Sequence, residues 1–135
     1  KVPFIVRAPG LSKAGAVSEA MVELIDVYPT LADLAGLKAP DHLQGASLRP
    51  LLSHPDRLGK KKYAYSVVSR GPKLGYALRN QNWRYGKWPD GEELYDLRKD
   101  PQEKSNLAHG KGHKERLEGF RRVLASKQKL FEANP

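Results

Sequence analysis

Five carboxylates fall between residues 92 and 103 in the stretch EELYDLRKDPQEKSNLA: Glu92, Glu93, Asp96, Asp100 and Glu103. Carboxylates at that density serve either as a metal or acid/base site or as polar joints between elements, and the strand period separates the two. In EELYDL, alternation sends Glu93, Tyr95 and Leu97 to one face and Glu92, Leu94 and Asp96 to the other, so the carboxyl groups diverge. Asp100-Pro101 initiates a turn, Glu103 lies in the tight loop beyond it, and Asn106 has the type and place of a cap ahead of Leu107. A glycosidase-type acid/base pair needs its carboxyl groups within about 5–10 Å across one cleft, and nothing in this pattern requires that. The stretch reads as structural punctuation whose carboxylates are free to pair with neighbouring basic strands.

The remaining chemistry-bearing types narrow the field further. With no cysteine, the chain has no disulfide, no thiolate metal ligand and no cysteine nucleophile. His109 and His113 are four apart, a ligand spacing on a helix, but HGKGH carries two glycines and no acid, so neither a helix nor a metal site is expected there. The net charge of +9 is concentrated: Arg57, Lys60, Lys61, Lys62, Arg70, Lys73, Arg79, Arg84 and Lys87 face no Asp or Glu between positions 57 and 87. Such a segment either attracts an acidic partner or balances carboxylates elsewhere in the same protein.

The elements that must position these groups fall into two textures. VPFIV reads as a buried strand closed by Pro9-Gly10. Ala20, Val22 and Leu24 alternate as a second short strand. Asp26 then caps a helix that carries Pro29 in its first turn, buries Leu31, Leu34 and Ala35, and stops at Gly36. Residues 38–56 hold three prolines and are expected to run irregularly, pinned by Leu43, Leu48, Leu51 and Leu52. From about residue 60, runs at 63–69, 74–80, 83–88 and 92–97 are joined by connections too short for anything but antiparallel neighbours. Tyr76, Leu78, Trp83 and Tyr85 give that sheet an apolar face, which needs a cover. Leu117, Phe120, Val123, Leu124, Lys127 and Phe131, between Lys111 and Ala133, supply one on a helix of about five turns. The expected fold class is α+β: residues 1–55 end a larger α/β domain, and residues 56–135 form a small four-stranded antiparallel sheet packed by a long C-terminal helix. No apolar run approaches the roughly 18–20 residues that span a bilayer, and no membrane partner is expected. The opening KVPFIVRAPG, already strand-like and without Met, reads as part of a longer polypeptide.

Four motifs in order, ELIDVYPTLADLAGL with LQGASLRPLL, YALRNQNWRYGKW, ELYDLRKDPQEKSNLA, and the opening VPFIVRAPG, resemble the carboxy-terminal portion of type I sulfatases of the alkaline-phosphatase superfamily. YSVVSRGPKLGYALRNQNWRYGKW is most similar to iduronate-2-sulfatases. The resemblance implies a parent enzyme that hydrolyses sulfate esters of a sulfated uronate or glycosaminoglycan-type sugar, using calcium and a formylglycine, in a periplasmic, extracellular or lysosomal setting. It implies an upstream catalytic domain of the same polypeptide as partner, and places the nucleophile, calcium ligands and catalytic Lys and His before residue 1. No catalytic or metal residue is therefore assigned in this chain, which is expected to be inactive alone. Ser53-His-Pro-Asp-Arg57 matches the Cys/Ser-x-Pro-x-Arg pattern letter for letter. Its place after the large domain and its LGKKK continuation argue against a nucleophile at Ser53.

What the resemblance leaves to this chain is support of the fold and a rim on the substrate cleft. The loop SRGPK offers Arg70 and Lys73 to an acidic sulfated sugar, the alternative being ordinary solvated turn residues. Arg79 and Arg84 are expected to pair with carboxylates, and Trp83, Tyr85 and Trp88 to pack rather than stack on sugar. A second class of reading is a freestanding basic module binding polyanions or nucleic acid, with Tyr63, Tyr65, Tyr76, Trp83 and Tyr85 as stacking rings. The order of four strands and then a helix carries no RNA-recognition signature, so nucleic acid is not the expected partner. Apolar faces left open in residues 1–55 would favour self-association.

Overall fold

In a computed structural model, residues 2–132 are described, with side chains through Leu130. The chain forms two compact units, residues 1–62 and residues 63–135.

In the first unit, Val27–Leu34 forms helix α1, entered through a 3-10 turn at Leu24–Asp26, and Arg49–Ser53 forms the short helix α2. Pro29 sits in the first turn of α1, where a missing N–H costs no intrahelical bond, and Gly36 leaves the helix at φ +71°. The two strands expected at VPFIV and at Ala20–Leu24 are absent. A strand is held by its neighbours' ladder, and the first unit contains no strand among its described residues to pair with either run. Ile5 is 91% exposed as a result. The stretch 38–56 is less irregular than its prolines imply, because Pro50 falls in the first turn of α2, where it is tolerated.

The expected buried face of α1 is also corrected. Leu31 is 61% exposed and Ala35 is exposed, whereas Pro29 and Thr30 are buried. Polar pins, not an apolar seam, hold the loop to the helix. The Thr30 hydroxyl accepts from the Leu48 amide at 2.9 Å and donates to the Asp26 carbonyl. Asp26 occupies the cap position, but its fully buried carboxylate does not cap α1. It accepts instead from the amides of Glu23 and Ala46 at 2.9 and 2.8 Å and from Lys61 Nζ at 2.7 Å.

The second unit follows the predicted plan closely. Strands β1 (Ala64–Arg70), β2 (Lys73–Arg79), β3 (Trp83–Trp88) and β4 (Gly91–Asp96) form an antiparallel meander in the order β1-β2-β3-β4. Gly71, at φ +59°, has the sign that a two-residue hairpin turn needs at its first central position. Register sets Leu78 opposite Tyr85 and Tyr85 opposite Leu94. These three are fully buried under helix α3 (Lys114–Glu132), whose Leu117, Phe120 and Leu124 complete the core with Trp83. Phe120 stacks on Tyr85 at 5.5 Å and meets Tyr63 edge-on at 5.7 Å. The side chain of Phe131 and the whole of Ala133, the end of the predicted helical stripe, lie outside the described residues.

Candidate functional site

The carboxylates of residues 92–103 separate as the strand period requires. On the α3 side, Glu92 accepts from the Tyr85 hydroxyl at 2.6 Å and from Arg121 Nε at 3.0 and 3.1 Å, with Arg121 Nη2 also in contact. The Arg121 guanidinium holds the Glu92 carboxyl down at about 2, against the opposing effect of burial. Burial, with the Glu92 carboxylate beside it, raises the Tyr85 hydroxyl. Asp96 is tied bidentately to Arg98 at 2.9 and 2.7 Å, which lowers it to about 2. Asp100 accepts from the Ser105 amide at 2.8 Å, closing the turn. Asn106 caps in both directions: its Oδ1 accepts from Leu94 N and Ala108 N, and its Nδ2 donates to the Glu92 carbonyl.

On the opposite face, Arg84 lies between Glu103, at 2.8 Å, and Glu93, at 3.4 Å, while Arg79 reaches Glu103 at 3.6 Å. Glu103 takes a left-handed φ of +56° to deliver its carboxylate to both arginines. Backbone strain is thus accepted at a non-glycine position in exchange for an ion-pair network. None of the five carboxylates shares a cleft with another free acid, and each already serves a cation or an amide.

Among the described residues, five of the nine cations in the acid-free window from 57 to 87 meet carboxylates in the folded chain. Lys61 pairs with Glu23 and Asp26, Lys73 with Asp90, Arg79 and Arg84 with Glu103, and Lys87 with Glu92. Arg70 makes no direct ion pair among the described residues: its guanidinium lies over the Trp88 ring at 4.5 Å, and Asp90 feels it only through space. Arg70 and Lys73 face each other across the β1–β2 hairpin. Lys73 Nζ lies 3.0 Å from Asp90 in the β3–β4 turn, with both side chains more than half exposed. Sequence reasoning missed Asp90 and Trp88 as neighbours of this pair. The available signal was Gly75, an isolated strand glycine of the kind that marks a close approach.

Other candidates are placed without a site. Trp83 and Tyr85 are core rings, and Tyr63, Tyr65 and Tyr76 pack against the same core. Ser53 is the last residue of α2. A 3-10 turn at Lys111–His113, the start of the span read as the long helix, leads into α3, and His113 packs against Trp83 at 5.7 Å. Among the described residues no group of three or more His, Asp or Glu side chains could hold a metal ion, and no helix is long and apolar enough to cross a membrane.

A profile describing the C-terminal region of N-sulphoglucosamine sulphohydrolase matches residues 1–129. The chain belongs to that family. The match establishes the region as the C-terminal part of a type I sulfatase sequence. The chain is 30% identical to an N-acetylglucosamine-6-O-sulfatase of Bacteroides thetaiotaomicron, over 99% of this chain and 26% of that protein. It is 34% identical to human arylsulfatase K, over 79% of this chain and 22% of the relative. A Delta 4,5-hexuronate-2-O-sulfatase of B. thetaiotaomicron is 33% identical, over 91% and 27%. The chain thus spans about a quarter of the curated relatives it matches.

Among solved structures, one described as a complex with its substrate D-glucosamine-2-N,6-O-disulfate superposes with a TM-score of 0.87. It is 29% identical and covers 96% of this chain and 28% of that one. A phosphonate monoester hydrolase from Silicibacter pomeroyi superposes at 0.77 with 26% identity, covering 91% and 28%. The sheet and long helix of this chain are those of sulfatase C-terminal structures.

Proposed function

We propose that this chain is the C-terminal portion of an enzyme that hydrolyses sulfate esters of an acidic, glycosaminoglycan-type sugar. Its role is to complete the fold and rim the substrate cleft. The observation that carries the reading is the superposition, over nearly the whole chain, on a structure described with a disulfated glucosamine as its substrate. Within the proposal, a 2-O-sulfated uronate is the preferred substrate. Two supports favour it: the resemblance of residues 65–88 to iduronate-2-sulfatases and the relative named as a hexuronate-2-O-sulfatase. Arg70 and Lys73 take the anionic groups of that sugar, and the upstream part of the same polypeptide supplies the nucleophile.

Calcium and a formylglycine belong to that upstream part. Among the described residues, the carboxylates of residues 90–103 do not fit a calcium site, since each is committed to a cation or an amide. What this chain contributes is positive charge near a site where negative charge must be held, the electrostatic requirement of sulfate-ester cleavage.

Expression of the full-length polypeptide that carries this chain tests the reading. Inorganic sulfate release is followed from a 2-O-sulfated uronate disaccharide, from 6-O-sulfated N-acetylglucosamine and from an aryl sulfate, with a phosphonate monoester as counter-substrate. Release from the uronate is expected. Release only from the glucosamine overturns the uronate preference, and hydrolysis of the phosphonate alone overturns the sulfatase reading.

A further inference from the structure

The most unusual side-chain arrangement in the second unit lies at one end of the sheet, on the face away from α3. Antiparallel order brings the β1–β2 and β3–β4 turns to this same end. Alternation puts Arg70, Lys73, Gly75 and Trp88 on the outer face, opposite to Leu78 and Tyr85. The Trp88 indole crosses β2 directly above Gly75. A Cβ at position 75 would stand 2.5–2.6 Å from three atoms of the six-membered ring, closer than any real contact. With Gly75 under it, the ring reaches β1 and carries the Arg70 guanidinium 4.5 Å from its centroid. The indole thus lies against both Gly75 and the Arg70 guanidinium, which makes Trp88 a bracket between strands.

Beside this bracket, Lys73 Nζ is held by Asp90 at 3.0 Å. Two cations therefore stand together with one carboxylate between the turns, and that carboxylate lies on a two-residue turn open to solvent. Both cations lower Asp90, Lys73 by its hydrogen bond and, more weakly, Arg70 through space. An exposed pair of this kind is weak and is readily exchanged for another oxyanion.

We propose that this end of the sheet is a subsite for an oxyanion group of a sugar, sulfate or carboxylate, with Trp88 and Gly75 as positioning residues for Arg70 and Asp90 as an internal competitor for Lys73. The proposal rests on the sulfated-sugar reading for its ligand class. It adds to that reading a defined geometry and opposite roles for two neighbouring residues: removing Trp88 weakens binding, and removing the Asp90 charge strengthens it.

The test is a titration of the 15N-labelled chain at low salt with glucosamine 6-sulfate, with inorganic sulfate as the second probe. The arginine Nε–Hε signals are followed. The Arg70 signal is expected to move saturably with both probes, and further with the sugar if the ring and not only the anion is recognised. Asp90→Asn is expected to tighten binding about two- to fivefold, the size set by an exposed ion pair. Trp88→Ala is expected to loosen it by about the same factor, the size of an exposed cation–π contact, with Trp88→Phe retaining most of the affinity. Gly75→Ala, which pushes the ring aside, is expected to behave like Trp88→Ala. Asp90 is exposed, so its variant keeps the fold and the test survives a failure of the others.

An Arg70 signal that stays still overturns the proposal, as does equal affinity in wild type and Asp90→Asn, or equal loss in the Phe and Ala variants of Trp88. Sulfate release by the full-length protein together with a silent Arg70 refutes the subsite alone. Saturable binding at Arg70 without sulfate release retains the subsite and removes the sulfatase reading.

Discussion

Replacing Glu92 by Gln tests what fastens α3 to the sheet. Glu92 is 18% exposed and bridges Tyr85 on β3 to Arg121 on α3, which is 49% exposed. Its carboxyl is lowered from 4.5 to about 2, first by Arg121 and also by the Tyr85 hydrogen bond. A depression of that size would be worth roughly 3 kcal/mol at most. The half-exposed guanidinium and solvent screening bring the expected contribution to about 1–2 kcal/mol. Glutamine can still accept from Tyr85, so the loss isolates the charge.

Because the folded value lies below the unfolded one, this stabilisation is complete above about pH 5 and is lost as pH falls through 4.5 toward 2. Both tryptophans lie in residues 63–135, so urea unfolding followed by tryptophan fluorescence reports on this unit. Glu92→Gln should be about 1–2 kcal/mol less stable than wild type at pH 7, and the two should converge by pH 2. The slope that Asp96 contributes in the same acid range remains in both proteins. Equal stability at pH 7, or a gap that persists unchanged at pH 2, would refute the argument that charge on Glu92 secures the helix.

Two further perturbations probe the separate units. Asp26→Asn removes the charge from a fully buried side chain that serves two amides and Lys61; a cost of about 3 kcal/mol should appear as faster hydrogen exchange at the Ala46 and Leu48 amides, and unchanged protection there would sink the idea. Phe120→Ala empties the space beneath Tyr85 and Tyr63 and should lower stability by about 3–5 kcal/mol, read from the urea midpoint; a loss under 1 kcal/mol would mean the ring is not the core anchor that its burial indicates.

The second unit was legible because its signals are local. Short connections dictate antiparallel order, alternation dictates which face is apolar, and the spacing of Leu117, Phe120 and Leu124 dictates the cover. The divergence of Glu92 and Glu93 followed from the same period. The first unit was less legible, because a strand depends on partners that no local pattern supplies, and VPFIV has none among the described residues of its unit. Asp26 was misread for a related reason: its cap position is local, but its partners Ala46 and Lys61 lie 20 and 35 residues away.

Of the candidate site, sequence pointed to Arg70 and Lys73 in the SRGPK loop, and it passed over Gly75. By itself, then, the sequence determined the meander, its helical cover, the family to which the chain belongs and the scattering of its carboxylates. The meander, its cover and the scattered carboxylates depend on spacing along the chain, which is a local quantity, whereas the family rests on the likeness of the ordered motifs. Only the tertiary structure decided that Lys61, Lys73, Arg79, Arg84 and Lys87 find carboxylates from outside the basic window, that Trp88 lies across Gly75 to carry Arg70, and that Asp90 holds Lys73. Those are meetings of side chains from different strands and turns, and their partners are chosen by register and rotamer, which no spacing rule encodes.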